Sequence, residues 1–132
     1  MTRPSLRISE KQVGDVTVLD LSGLLVLDDG DAVFREAVND LIARDRLQVV
    51  VNLADVTYMD SAGIGVLIGR YLGVRRRGGD MKLANLTTRS HRVMTITHLL
   101  TVFDAFDSVD EAVQSFGQPR PDKPDKEVNE TR

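Results

Sequence analysis

Between Gln48 and Tyr71 the chain changes its hydrophobic period, and that change fixes the fold class. Gln48-Val49-Val50-Val51-Asn52-Leu53 is a short, apolar, β-branched run of the kind found in strands buried on both faces. Farther on, Ile64, Leu67, Ile68 and Tyr71 fall at i, i+3, i+4 and i+7, the stripe of an amphipathic helix. Between them lies Tyr58-Met59-Asp60-Ser61-Ala62-Gly63-Ile64-Gly65. This spacing puts Ser61 at or next to the helix N-terminus, where unpaired N–H groups and the positive end of the macrodipole favour an anion. A phosphate on the Ser61 hydroxyl would be well placed there.

The rest of the chain repeats the strand–helix alternation. Ile8 to Gln12 and Val16 to Ser22 flank the turn dipeptide Gly14-Asp15 and predict an N-terminal β-hairpin, with Thr17, Leu19 and Leu21 as its apolar face and Gly23 breaking the strand. A first helix should follow the acids Asp28, Asp29 and Asp31, burying Phe34, Ala37, Val38, Leu41 and Ile42. The Ser61 helix should end at Arg75-Arg76-Arg77 and Gly78-Gly79, with cations on its negative end and a glycine C-cap. A strand from Asp80 to Leu86 comes next, then a helix capped by Thr87-Thr88 and running through Leu99. Val109 to Phe116 forms the last helix, with Ser108 and Glu111 as a capping box and Gly117 as its stop. Such an order predicts an α/β layer fold: a mixed, mostly parallel sheet packed with about four helices and joined by right-handed crossovers.

Residues 1–117 should therefore form one domain. From residue 118 onward the chain holds three of the four prolines and one clearly apolar residue, Val128, so residues 118–132 are expected to be a disordered polar tail that cannot recover its ordering entropy.

Composition excludes several classes of function. The 132 residues are 42% hydrophobic, enough for a core without a staple, and contain no cysteine to supply a disulfide or a thiolate metal site. No segment approaches the roughly 20 apolar residues of a membrane span, and Met1-Thr2-Arg3-Pro4 lacks a signal-peptide core, so a cytoplasmic location is expected. A net charge of −3 opposes binding to nucleic acid.

Glycine and histidine spacings exclude more. Gly63, Gly65 and Gly69 lack the G-x-G-x-x-G spacing of a dinucleotide fingerprint, and the chain contains no P-loop. Asp60-Ser61-Ala62-Gly63 is not the G-x-S-x-G elbow of a hydrolase. His91 and His98, seven residues apart, suit neither a catalytic base nor a metal site and read as one solvent-facing and one packed side chain on one helix. No metal and no cofactor are assigned. Arg75 to Arg77 could meet a phosphate or an acidic partner, although a solvated helix end explains them with less. On capping preference alone Ser61 is simply a helix-start residue, and the glycines beside it fit either close packing on the sheet or a flat patch open to a partner.

Met59-Asp60-Ser61-Ala62-Gly63-Ile64-Gly65 resembles the phosphorylation motif Met-Asp-Ser-(Ser/Ala)-Gly-(Leu/Ile)-Gly of the STAS domain family, specifically its anti-sigma factor antagonists. Gly23, the run from Gln48 to Leu53, Gly78-Gly79 and Leu99-Leu100-Thr101-Val102-Phe103 extend the likeness over roughly residues 6 to 116. The resemblance implies the STAS topology and a protein-binding switch rather than an enzyme. It implies Ser61 as phosphoacceptor and Asp60, Ala62, Gly63, Ile64 and Gly65 as contacts for an anti-sigma factor that is also a serine kinase. A metal-dependent serine phosphatase would restore the serine. Where the family often carries an acid in Gly-Glu-Leu-Asp, this chain reads Gly23-Leu24-Leu25-Val26, and Asp28 is the nearest acid to replace it. Two other functions are compatible with the residues: a STAS scaffold subunit of a larger signalling or lipid-transport assembly, and a small nucleotide hydrolase.

Overall fold

The computed structural model describes residues 5–117, so the expected tail lies outside the described residues. Its elements follow the predicted order: β1 (Leu6–Val13), β2 (Val16–Leu25), α1 (Gly30–Ala43), β3 (Gln48–Met59), α2 (Ser61–Arg76), β4 (Asp80–Ala84), α3 (Thr88–Ile96), β5 (Ala105–Phe106) and α4 (Val109–Gln114). The five strands lie in the order β1-β2-β3-β4-β5, with β1 antiparallel to β2 and every other pair parallel. This is the mixed, mostly parallel sheet with an N-terminal hairpin that the sequence predicts.

Helices cover both faces of the sheet, and that explains the unbroken apolar run in β3. Val49, Val50 and Val51 are all fully buried. Val49 and Val51 join the larger core beneath α1 and α2, with Phe34, Val38, Leu41, Leu67, Tyr71 and Val74. Val50 points the other way and packs with Val16, Val18, Ala84 and Ala112 beneath α4. Strand side chains alternate between faces, so three consecutive buried valines require two covered faces. Tyr71 and Phe103, with ring centroids 4.8 Å apart, extend the larger core beyond β4. On the α4 side the buried Lys82 donates to Ser115 Oγ at 2.7 Å and lies 4.4 Å from the Phe116 ring centroid, fastening the last helix to the sheet through its ammonium group.

Several boundaries differ from the sequence expectation. Gly23 does not break the strand: β2 continues to Leu25, and Gly23 sits within it at φ +113 beside the register shifts that pair β2 with the far half of β3. A Cβ on Gly23 would stand 2.0 Å from the Ser5 carbonyl oxygen, so the glycine permits a bulge and a close approach rather than a chain break. Thr17, Leu19 and Leu21 are buried as expected, yet Val16 and Val18 are buried too, because α4 covers the opposite face. In α1, Phe34, Val38 and Leu41 are buried, whereas Ala37 and Ile42 remain partly exposed. In α2, Leu67 and Tyr71 are buried while Ile64 and Ile68 are only half-buried, and Gly63, Val66 and Val74 complete the inward face.

The C-terminal half also stops earlier than its sequence pattern. β4 ends at Ala84 because Asn85 turns the chain at φ +60, and α3 ends at Ile96 because His98 takes φ +61, leaving Leu99–Thr101 as a single 3-10 turn. α4 similarly gives way to a 3-10 turn at Ser115–Gly117. His91 and His98 are both exposed, not one exposed and one packed. The local caps do form: Thr87 Oγ1 accepts from Ser90 N at 3.0 Å, and Ser108 Oγ accepts from Glu111 N at 3.1 Å. At the end of α2, Gly79 N donates to Val74 O and Gly78 N to Arg75 O, the paired bonds of a Schellman C-cap.

Candidate functional site

Parallel strands deliver their C-terminal ends, and the starts of the helices that follow, to one edge of the sheet, where open α/β folds characteristically carry their sites. Met59 ends β3 with its side chain in the core, and Asp60 turns the chain into α2. Asp60 is the N-cap, since its Oδ1 accepts from Gly63 N at 2.9 Å and its backbone carbonyl accepts from Ile64 N at 3.0 Å. Ser61 is thus the first helical residue. Its side chain is exposed and takes part in no hydrogen bond among the described residues. An oxygen in that position is accessible to a partner and close to the free N–H groups of the first turn.

The small residues around Ser61 have separate physical roles. A Cβ on Gly63 would stand 2.0 Å from the Leu25 carbonyl oxygen, so this glycine lets α2 start directly against the end of β2. Gly65 and Gly69 meet nothing within 4 Å, and packing does not require them. Ser61, Gly65 and the exposed Leu72 lie four and then seven residues apart, on the helix face turned away from the core. Ala62 and Ile64 are half-buried on either side of that face. The two alternatives left open by the sequence therefore divide by residue: Gly63 serves close packing, while Gly65 and Gly69 leave a flat open surface.

Tertiary structure adds Leu27 and Arg89, which no local pattern connects to Ser61. The second Asp60 oxygen, Oδ2, accepts from Leu27 N at 3.1 Å, which brings the loop between β2 and α1 to the start of α2. Leu27 is 60% exposed and Tyr58, at the end of β3, is 47% exposed. Arg89, in the first turn of α3, places its guanidinium carbon 5.8 Å from the centroid of the Tyr58 ring. In sequence, Leu27 reads as one more apolar residue after Leu24-Leu25-Val26, and its exposure follows from the loop conformation alone.

The acidic cluster at the start of α1 is likewise divided. Asp29 accepts from Ser5 N at 2.8 Å and from Ser5 Oγ at 2.5 Å. Asp31 is buried and caps the backbone N–H groups of Asp29 and Ala32. Asp28 alone is exposed and outside the hydrogen bonds and ion pairs of the described residues, held at φ +60. Arg75, part of the arginine run at the end of α2, faces Asp80 at 3.7 Å.

The charge of Asp60 is stabilised where it sits. N–H donation from Gly63 first, and from Leu27 second, lowers its pKa from the ordinary 3.8, and the Ser5 hydroxyl and N–H do the same for Asp29. A folded-state pKa below the unfolded value contributes stability that is complete above about 3.8 and lost as pH falls through the lowered folded values. The thermal midpoint should therefore decline below pH 4, and Asp60→Asn should flatten that decline. An unchanged pH profile for the Asp60→Asn protein would refute the role of the cap.

The candidate site around Ser61 is an exposed surface. Two clefts, of about 580 and 560 Å³, are lined by residues other than Ser61, the first around Arg46, Gly79 and Lys82 and the second around Asn85, His91 and Phe103. Neither histidine hydrogen-bonds the Ser61 hydroxyl. No helix among the described residues is long and apolar enough to cross a membrane.

Fold and candidate site together describe an α/β domain with an exposed serine hydroxyl at the start of an open helix face. The STAS domain family model matches residues 7–112, and the chain belongs to that family. It is 29% identical over 105 residues to the anti-sigma F factor antagonist of Paenibacillus polymyxa, a match covering 79% of this chain and 89% of that protein. The crystal structure of an anti-sigma factor antagonist from Mycobacterium paratuberculosis superposes with a TM-score of 0.78 at 18% identity, covering 89% of this chain and 100% of that one. The Bacillus cell fate determinant SpoIIAA in its phosphorylated form superposes with a TM-score of 0.67 at 20% identity, covering 83% of this chain and 99% of that one.

Proposed function

We propose that this chain is an anti-sigma factor antagonist, a protein-binding switch governed by phosphorylation of Ser61. In its unphosphorylated form it binds, through the face around Ser61, an anti-sigma factor that is also a serine kinase, and so frees a sigma factor. That kinase, with its own ATP and Mg²⁺, transfers the terminal phosphoryl group to Ser61 Oγ, and the modified antagonist leaves. A separate serine phosphatase removes the group and restores binding. The observation that supports this reading best is the Ser61 hydroxyl itself: exposed, unbonded, first in its helix and bordered by residues too small to obstruct a kinase active site. Among the described residues no histidine or other general base hydrogen-bonds that hydroxyl, which favours a substrate of another enzyme over an enzyme in its own right.

Capture from a lysate of the source cell with tagged protein, followed by mass spectrometry of the bound partner and of Ser61, tests the assignment. Ser61→Ala should keep partner affinity within about threefold, because removing an exposed hydroxyl costs little, while phosphate incorporation falls to background. Phosphate on the Ser61→Ala protein after kinase treatment would refute the acceptor assignment.

A charge at the rim of the same face should tune binding. Asp28 takes the place of the family acid absent at Val26, and because Asp29 and Asp31 are occupied in holding the fold, Asp28→Asn alone isolates the effect. Kinase affinity should fall by about three- to tenfold, roughly 0.7–1.4 kcal/mol, with a weaker dependence on salt. Unchanged affinity in Asp28→Asn would reject Asp28 as a contact.

A further inference from the structure

The two carboxylate oxygens of Asp60 reach separate parts of the chain. Oδ1 holds the first turn of α2 through Gly63 N at 2.9 Å, whereas Oδ2 holds Leu27 N at 3.1 Å, from a position 33 residues earlier. Leu27 precedes Asp28, which turns the chain at φ +60, a left-handed conformation that aspartate adopts more readily than most residues. The backbone N–H of Asp60 completes the junction by donating to Leu25 O at 3.3 Å.

We propose that Asp60 is a positioning residue: its carboxylate clasps the Leu27–Asp28 loop to the start of α2, so that Leu27 and Ser61 meet the kinase as one preorganised surface. This inference rests on the reading given under Proposed function and adds how that face is built. Leu27 offers an apolar side chain, 60% exposed, on a backbone already fixed by the clasp. An anchor on a backbone fixed before binding loses less conformational entropy on docking, and burying its exposed apolar surface against a partner is favourable. The kinase should therefore present an apolar pocket for Leu27 beside the site that receives Ser61. Asp60 thus acts on the surface through the loop it clasps.

Asp60→Ser tests the clasp, because serine keeps a capping oxygen for Gly63 N while its shorter side chain cannot also reach Leu27 N. In the free protein, amide hydrogen exchange should stay within about twofold of wild type at Gly63 and accelerate at least about tenfold at Leu27. Asp60→Asn, which keeps one oxygen for Gly63 and turns an amide NH₂ toward Leu27 N, should behave alike and serves if the serine variant folds poorly. Affinity for the kinase captured by wild-type protein should drop about tenfold in Asp60→Ser and about tenfold in Leu27→Ala, and the double variant should lose no more than the larger single loss. Unaltered exchange at Leu27, or losses that multiply in the double variant, would overturn the proposal. Failure to capture any kinase would count against the functional reading instead, since the exchange measurement needs no partner.

Discussion

Gly63→Ala should unfold the domain at a temperature well below wild type, even though alanine is the better helix former. The propensity gain from replacing a helical glycine is about 1 kcal/mol. Against it stands a Cβ placed 2.0 Å from the Leu25 carbonyl oxygen, a distance that real contacts do not reach, and the obstacle is backbone on a central strand. Relief requires α2 to move off β2, which strains the Asp60 N–Leu25 O bond of 3.3 Å and the Gly63 N–Asp60 Oδ1 cap of 2.9 Å. Overpacking of this kind costs about 1–3 kcal/mol or more, and the lost bonds add to it, so a net destabilisation of roughly 2–3 kcal/mol is expected. In a domain of this size that lowers the midpoint by on the order of 10 °C. Gly65→Ala is the control: with nothing within 4 Å of its Cβ it should raise stability by up to about 1 kcal/mol. Denaturant or thermal melts of the two variants side by side check this, and equal effects at the two sites would refute the close approach.

Phosphorylation of Ser61 should lower kinase affinity by at least about tenfold, on the order of 1.4 kcal/mol, while leaving the fold intact. The phosphoryl group adds about −1.5 to −2 charge at the first residue of α2. In the free protein the helix dipole and the free N–H groups favour that charge by roughly 0.3–1 kcal/mol, and repulsion from Asp60 opposes it by a similar amount. In the complex the same group must shed water against a surface shaped for a neutral serine, and nothing compensates it there. Protein carrying phosphoserine at position 61 should thus melt within a few degrees of the unmodified protein and keep its helical circular dichroism. A large fall in midpoint with loss of helical signal would mean that the switch works by order-to-disorder, against this account.

The features legible in the sequence are those set by short-range physics. The apolar run at Gln48–Leu53 and the stripe through Tyr71 depend only on side-chain period, and Thr87, Ser108 and Gly78 act on backbone within a few residues. These gave the element order and the junction that holds Ser61. Tertiary structure decided what depends on contacts distant in the chain. Gly23 remains inside a strand because β3 pairs with both of its neighbours through a bulge, and Val16 and Val18 are buried because α4 returns from the far end of the chain to cover them. The same long-range packing separates Gly63 from Gly65, since only one of two helical glycines faces the Leu25 carbonyl. It also makes Leu27 part of the site: a leucine following an apolar run has no local signal for exposure, and only its hydrogen bond to Asp60, across 33 residues, fixes it beside Ser61.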